Sequence, residues 1–212
     1  MTEPSGAAPG LLRPRVSALS GFLARFLLMI TVLAALNALG EERFVTALLP
    51  GMKYELAHLD GTFRVDRLSV VKDGADRTLK VDVGLARPLA LNGRTFHPDP
   101  RGKAAASTLV GNVTLPVLLL VAVTFAWPGR RPRSFAVRAL ILIPLLLLLL
   151  ALDGPFLLWG ALWGLVLQAA GIPNAFSPLL IWSDFLLNGG GLALALVLGA
   201  CVAAVAERLS DR

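Results

Sequence analysis

The sequence predicts an all-α integral membrane protein with four transmembrane helices and a small extracytoplasmic α+β cap that contains a β-hairpin. Of its 212 residues, 56% are hydrophobic and 16% are charged, whereas soluble domains average about 25% charged residues. The apolar residues form runs long enough to cross a bilayer. Basic residues flank these runs instead of forming one face, so the net charge of +6 indicates membrane orientation and not nucleic-acid binding.

Four segments have the roughly 20 apolar residues that a membrane crossing needs. They are residues 19–39, 107–127, 139–158 and 185–206. Pro116 is expected to kink the second helix without ending it. The third apolar region runs on to about residue 170, but Asp153-Gly154-Pro155 interrupts it, and Gly-Pro commonly ends a helix. We therefore predict that the third span ends at residue 158. Residues 159–184 then form an extracytoplasmic segment that is either interfacial or re-entrant.

The orientation follows from basic residues near the ends of the apolar runs. Arginines occur before the first span, between the second and third spans, and after the fourth span. An even number of spans places all three groups on one side, which is the cytoplasm by the positive-inside rule. The sequence thus predicts cytoplasmic tails at 1–18 and 207–212 and a basic cytoplasmic loop at 128–138. The first apolar run reads as a retained signal anchor in a bacterial inner membrane.

Residues 40–106 form the predicted extracytoplasmic cap. Its first part, EERFVTALLPGMKYELAHL, has the apolar spacing of short amphipathic helices that lie on the membrane. In TLKVDVGL apolar and polar residues then alternate, and KDGADR before it supplies turn residues, which predicts a β-hairpin over about 63–85. The stretch ALNGRTFHPDPRGK is interpreted as an irregular tether.

A candidate polar site comprises Asp153, Asp184, Asn188 and His97, all expected at the outer membrane interface. An ionisable residue within a span is functional by default, whereas the alternative for Asp153 is a hydrated helix end. Ser183 or Asp184 is predicted to cap the start of the fourth helix. The sequence shows no P-loop, no dinucleotide fingerprint and no cluster of metal ligands, so we predict no catalytic residue, no cofactor and no metal.

A helix-packing face is predicted on the fourth span. Gly191, Ala195, Gly199 and Ala203 recur every four residues and so lie on one side of a helix. Such small faces let membrane helices approach closely. The single cysteine, Cys201, is separated by the predicted topology from His58 and His97, which argues against a Cys-His dyad. It is interpreted as a small packing residue.

The layout resembles that of exosortase-associated accessory membrane proteins of bacteria. The similar parts are STLVGNVTLPVLLLVA at the second span, the loop GRRPRSFAVR and the leucine-rich third span. The resemblance implies an accessory role in sorting or processing surface proteins, and no catalytic residue is carried over. Two hypotheses remain open. One is a non-enzymatic subunit that contacts the lipid bilayer and a membrane-protein partner. The other is a small intramembrane enzyme or carrier whose polar site lies at the outer interface.

Overall fold

The computed structural model describes residues 13–59, 61–74, 76–99, 101–129 and 132–210, with the backbone alone for residues 13–18. The predicted orientation relies partly on arginines whose side chains lie outside this part of the chain. They are Arg13, Arg15, Arg130, Arg131 and Arg212. The described part is mostly helical with small antiparallel sheets. Its elements are α1 (Arg13–His58), β1 (Phe63–Asp73), β2 (Asp76–Leu85), β3 (Leu89–Leu91), β4 (Arg94–Phe96), β5 (Ala104–Leu109), α2 (Val110–Ala126), α3 (Pro132–Ala169), α4 (Pro178–Phe185), a π-helical segment (Leu186–Gly190) and α5 (Gly191–Ser210).

The first helix is longer than predicted. The expected boundary near residue 40, with separate short helices beyond it, is wrong because α1 continues for 46 residues and contains Pro50. A proline in a helix removes one backbone hydrogen bond. Burial of Val45, Met52 and Leu56 in one apolar core with the sheet and α3 offsets that loss.

The predicted β-hairpin is present. β1 and β2 pair antiparallel from Phe63↔Leu85 to Asp73↔Asp76, with a bulge between Val65 and Arg67. The alternation in β2 places Leu79, Val81 and Val83 on the buried face. This face packs in the core formed with α1 and α3.

Two other parts of the cap differ from the prediction. β5 pairs antiparallel with β2, giving a three-stranded sheet in the order β1-β2-β5. The helix predicted as the second span consequently begins at Val110 and not at residue 107. The stretch interpreted as a tether contains a small hairpin of β3 and β4. Its turn residues Asn92 and Gly93 both have positive φ, of 49° and 71°, as in the tight turns that favour Asn-Gly.

The third apolar helix does not end at the Asp153-Gly154-Pro155 break. α3 begins at Pro132, before the predicted start, and continues through this tripeptide to Ala169. The residues predicted as an interfacial segment from 159 onward therefore include the last part of α3. Within this tripeptide, Gly154 leaves room for the side chain of Met52, which a Cβ at this position would overlap. Neighbouring helices commonly compensate for proline in membrane helices.

The last helical region also starts earlier than predicted. α4 begins at Pro178 with Ser177 at the N-cap position, which fits the preference for proline in the first helical turn. Ser183 and Asp184 lie inside α4, so the prediction that one of them caps a helix start is wrong. α5 begins at Gly191, after the π-helical segment.

Three helical stretches have the length and apolar composition to cross a membrane. They are Leu19–His58, Pro132–Ala169 and Pro178–Ser210, with mean hydropathies of 2.1, 2.8 and 2.2 in their best windows. α2 is apolar but has only 17 residues, which corresponds to about 25 Å of helix. It packs with α3 and α5 around Val117, Leu120, Leu142, Leu149 and Ala195.

Candidate functional site

Asp153 is the most unusual polar residue in the described part of the chain. It lies midway along α3 and is 2% exposed. Neither carboxylate oxygen has a hydrogen-bond partner among the described residues. Burying a carboxylate without a partner costs several kcal/mol or more. Other packing in the protein must offset this cost in free energy. Because Asp153 is buried and unpaired despite the cost, we place it at the centre of the candidate site.

Asp153 lies beside the start of α5. A Cβ built on Gly191 would be 3.4 and 3.5 Å from the two carboxylate oxygens of Asp153 and 3.3 Å from Cγ of Pro116 in α2. A Cβ at this distance from Pro116 requires its ring to shift by a few tenths of an ångström, and a larger side chain requires more space. The glycine therefore allows α2, α3 and α5 to meet at the carboxylate.

The approach of α5 depends on a kink just before it. Gly189 has a φ of 94° and Asn188 has a non-helical ψ of 23°. A φ of this sign strongly favours glycine. Gly190 lies against the ring of Phe185, and a Cβ there would overlap that ring. The three consecutive glycines thus perform separate tasks: one reverses φ, one makes room for an aromatic ring, and one contacts Asp153.

The other predicted members of the polar site do not join Asp153. Asp184 and Asn188 are exposed, and Asn188 Nδ2 donates to the Asp184 backbone oxygen at 2.8 Å. His97 is exposed just after β4. No hydrogen bond or ion pair between these described residues connects any of the three to Asp153. The β3–β4 hairpin contacts the C-terminal end of α3, where Arg94 donates to the Ala169 backbone oxygen at 3.3 Å.

The predicted helix-packing face is buried inside the chain. Gly191, Ala195, Gly199 and Ala203 are all buried residues of α5. A Cβ on Gly199 would lie 2.9 Å from Cβ of Val123 and 3.3 Å from the Leu120 oxygen. The small residues at Gly191 and Gly199 therefore serve close packing against α2, and this face is occupied without a partner protein.

Arg138 is a buried charge that sequence reasoning treated only as a marker of orientation. It is 0% exposed, and its Nη2 lies 2.7 Å from Glu207 Oε1 in α5. Nη1 donates to the backbone oxygens of Trp127 at 2.6 Å and Thr124 at 3.2 Å. These carbonyls lie at the end of α2, where helical partners are lacking. The one feature of the sequence that could have indicated this ion pair is the acidic residue Glu207 near the end of the last predicted span.

Arg138 and Asp153 lie at different levels of the helix bundle. They are fifteen residues apart on α3, which corresponds to about 22 Å along the axis. Arg138 joins the end of α2, the start of α3 and the end of α5. The two buried charged residues therefore belong to separate environments, one paired and one unpaired.

Metal ligands do not cluster in the part of the chain that the structure describes. No group of three or more His, Cys, Asp or Glu residues lies close enough there to hold an ion. Cys201 is a free, exposed cysteine on α5, so within this chain its interpretation as a small packing residue is wrong. It faces away from the small-residue side of this helix.

No protein-family model, curated protein or solved structure matches the chain.

Proposed function

We propose that the chain is a non-enzymatic multi-pass subunit of a bacterial inner membrane that holds a membrane-protein partner. In the layout that resembles exosortase-associated accessory proteins, this role assists the sorting or processing of surface proteins. The proposal includes four spans, with α2 as the short one, and both termini in the cytoplasm. The main observation in support of the proposal is the apolar surface of α1, which the rest of the described chain leaves uncovered.

The N-terminal half of α1 packs weakly on the rest of the chain. Its most apolar window contains no buried residue. Exposed side chains include Leu27, Leu28, Val32 and Leu36. One contact near its start is the edge-to-face pair of Phe22 and Trp127, whose centroids are 5.5 Å apart. In a bilayer this surface meets lipid or another helix, and the proposal assigns it to a partner helix.

The contacts between helix ends support the four-span arrangement. Phe22 near the start of α1 meets Trp127 at the end of α2. Arg138 near the start of α3 meets Glu207 near the end of α5 and the same end of α2. Four helix ends thus gather at one level, as expected when both termini and the basic loop share one side of the membrane.

The cap is suited to act as a fixed platform. Its sheet shares one apolar core with the second half of α1 and with Leu158, Trp159 and Leu162 of α3. Phe63 at the start of β1 packs edge-to-face on Trp159, with centroids 5.1 Å apart. A cap fastened to two helices keeps a constant position relative to the bundle.

A second candidate function is a small carrier or intramembrane enzyme centred on Asp153. The buried and unpaired carboxylate favours it, since intramembrane acids commonly mark transport or proton pathways. The positions of Asp184, Asn188 and His97 weigh against it, because these residues supply no second polar group to Asp153.

Purification from native membranes tests the proposal. The tagged chain, extracted in mild detergent, is expected to bring one membrane protein with it in constant ratio, identified by mass spectrometry. A companion variant with Leu28→Ala and Val32→Ala, which makes this exposed face of α1 smaller but keeps the helix apolar, should lose the partner. Recovery of the unmodified chain alone would contradict the subunit role.

A further inference from the structure

A groove runs between the second half of α1 and the middle of α3. It consists of two adjoining cavities of about 300 and 130 Å³ that share Glu55 and Ala151 in their linings. Most of the walls are apolar, with Leu48 and Met52 from α1 and Leu152 and Phe156 from α3. Such a groove accepts an extended hydrocarbon chain.

Glu55 is the charged group in this apolar lining. Its side chain forms no ion pair or hydrogen bond with any described residue, and it is half-buried. A carboxylate partly removed from water is stabilised by a donor, most strongly by a cationic one. The groove therefore combines an apolar lining with a carboxylate that has no partner among the described residues.

A second acceptor lies at the rim of the groove. The ring of His58 packs on that of Tyr54 with centroids 4.2 Å apart. His58 Nδ1 lies 2.8 Å from the Tyr54 backbone oxygen. A carbonyl oxygen only accepts, so Nδ1 carries the hydrogen, and Nε2 of the neutral ring is left as an acceptor. The carboxylate of Glu55 and Nε2 of His58 can thus both accept hydrogen bonds from N–H donors.

We propose that this groove binds phosphatidylethanolamine, with an acyl chain between α1 and α3 and the primary ammonium at Glu55 and His58. A primary ammonium has three N–H donors, whereas the trimethylated amine of phosphatidylcholine has none. The chain carries a net charge of +6, so non-specific attraction would favour an anionic lipid instead. A preference for phosphatidylethanolamine over anionic lipids would therefore distinguish binding in this groove from non-specific electrostatic attraction.

Competition between lipids tests the proposal on the full chain. Phosphatidylethanolamine, phosphatidylcholine and phosphatidylglycerol with identical acyl chains are supplied together, and bound lipid is counted by native mass spectrometry. We expect a preference of about tenfold for phosphatidylethanolamine over phosphatidylcholine, the scale of one charge-assisted hydrogen bond. The mono- and dimethylated amines should fall between them, since each methyl group removes one donor.

Two substitutions connect the preference to the groove. Glu55→Gln should reduce the ratio to near one, while Asp184→Asn, which neutralises an exposed acid outside the groove, should leave it unchanged. Equal binding of the amine and choline lipids, a preference for phosphatidylglycerol, or an unchanged ratio in Glu55→Gln would each overturn the proposal. A groove that instead takes a lysine side chain of a partner protein would show no headgroup preference, which overturns it as well.

This inference depends on the proposed function only in requiring that the chain reside in a membrane. A chain that purifies from the soluble fraction would refute membrane insertion. A membrane-extracted chain without headgroup preference would refute the lipid site alone. The two failures are therefore distinguishable.

Discussion

The buried carboxylate of Asp153 lies 3.4 Å from the position that a Cβ of Gly191 would occupy. The contact connects α3 with α5 at the point where Pro116 of α2 also approaches. The unpaired acid of α3 thus packs directly against the glycine at the start of α5.

Replacement of Asp153 by Leu should stabilise the protein. The substitution removes a buried polar group without a partner, a feature that costs about 1–3 kcal/mol for a neutral group and more for a charged one. Asp153→Asn, which keeps a polar group of the same shape, should change the free energy of unfolding less. Thermal unfolding in detergent measures both variants. A marked loss of stability in Asp153→Leu would contradict the unpaired state of the carboxylate.

The same two variants separate the candidate functions. If the chain is a partner-binding subunit, Asp153→Asn should retain the partner at wild-type level in membrane purification. If Asp153 belongs to a carrier or enzyme site, the variant should fold and assemble but lose transport or turnover. A folded variant that loses its partner would show that Asp153 acts in assembly.

Enlarging Gly199 should destabilise the bundle. A Cβ there already comes within 2.9 Å of Val123, so Gly199→Leu forces α2 and α5 apart at a cost of about 1–3 kcal/mol or more. Gly21→Leu in α1 is the matched control, because no atom lies within 4 Å of its would-be Cβ. Comparison of their unfolding temperatures checks the prediction. Equal temperatures would argue against close packing along the face of Gly191, Ala195, Gly199 and Ala203.

Loss of the Arg138 side chain should be severe. Arg138→Ala leaves Glu207 and the carbonyls at the end of α2 without their partner, and breaking a buried ion pair costs about 3–5 kcal/mol. Arg133→Ala removes an exposed arginine from the same helix and should have little effect. A double-mutant cycle with Glu207→Gln gives the coupling energy. Additive effects of the two substitutions would show that the pair contributes no coupling.

Truncation within the cap core should loosen the sheet. Leu79 is 0% exposed, and Leu79→Ala should cost about 2–5 kcal/mol. Leu109→Ala, at an exposed leucine that pairs in register with Thr78 across β2 and β5, is the control. Limited proteolysis should cleave the cap of the first variant faster. Equal cleavage would contradict the shared core of α1, the sheet and α3.

Local patterns predicted some elements well. The alternation in TLKVDVGL and the turn KDGADR determined the hairpin because both signals act between neighbouring residues. Asn92-Gly93 is also a common hairpin turn. The β3–β4 hairpin was nevertheless missed, because Pro98 and Pro100 shortly after it favoured an irregular segment. β5 was missed because its pairing with β2 is non-local and its sequence, AAASTL, runs directly into an apolar helix.

The long helices and the polar contacts were harder to predict. Pro155 locally favours a helix end, whereas in the structure α3 continues through it to Ala169, with Met52 packed on Gly154. The proximity of Asp153 and the glycine segment could be anticipated, because the sequence predicts both at the outer membrane interface. The pairing of Arg138 with Glu207 could not, because it depends on the side-chain geometry of three helix ends.

Site-directed crosslinking tests the central claim, a partner helix on α1, most directly. In a Cys201→Ser background, cysteine is placed at Leu28 of α1 or at Val197 of α5, which are 65% and 62% exposed, and both chains are treated with crosslinker in native membranes. A partner on α1 predicts one discrete crosslinked product from Leu28→Cys and none from Val197→Cys. No product from either position, or equal products from both, would contradict the proposed role of α1.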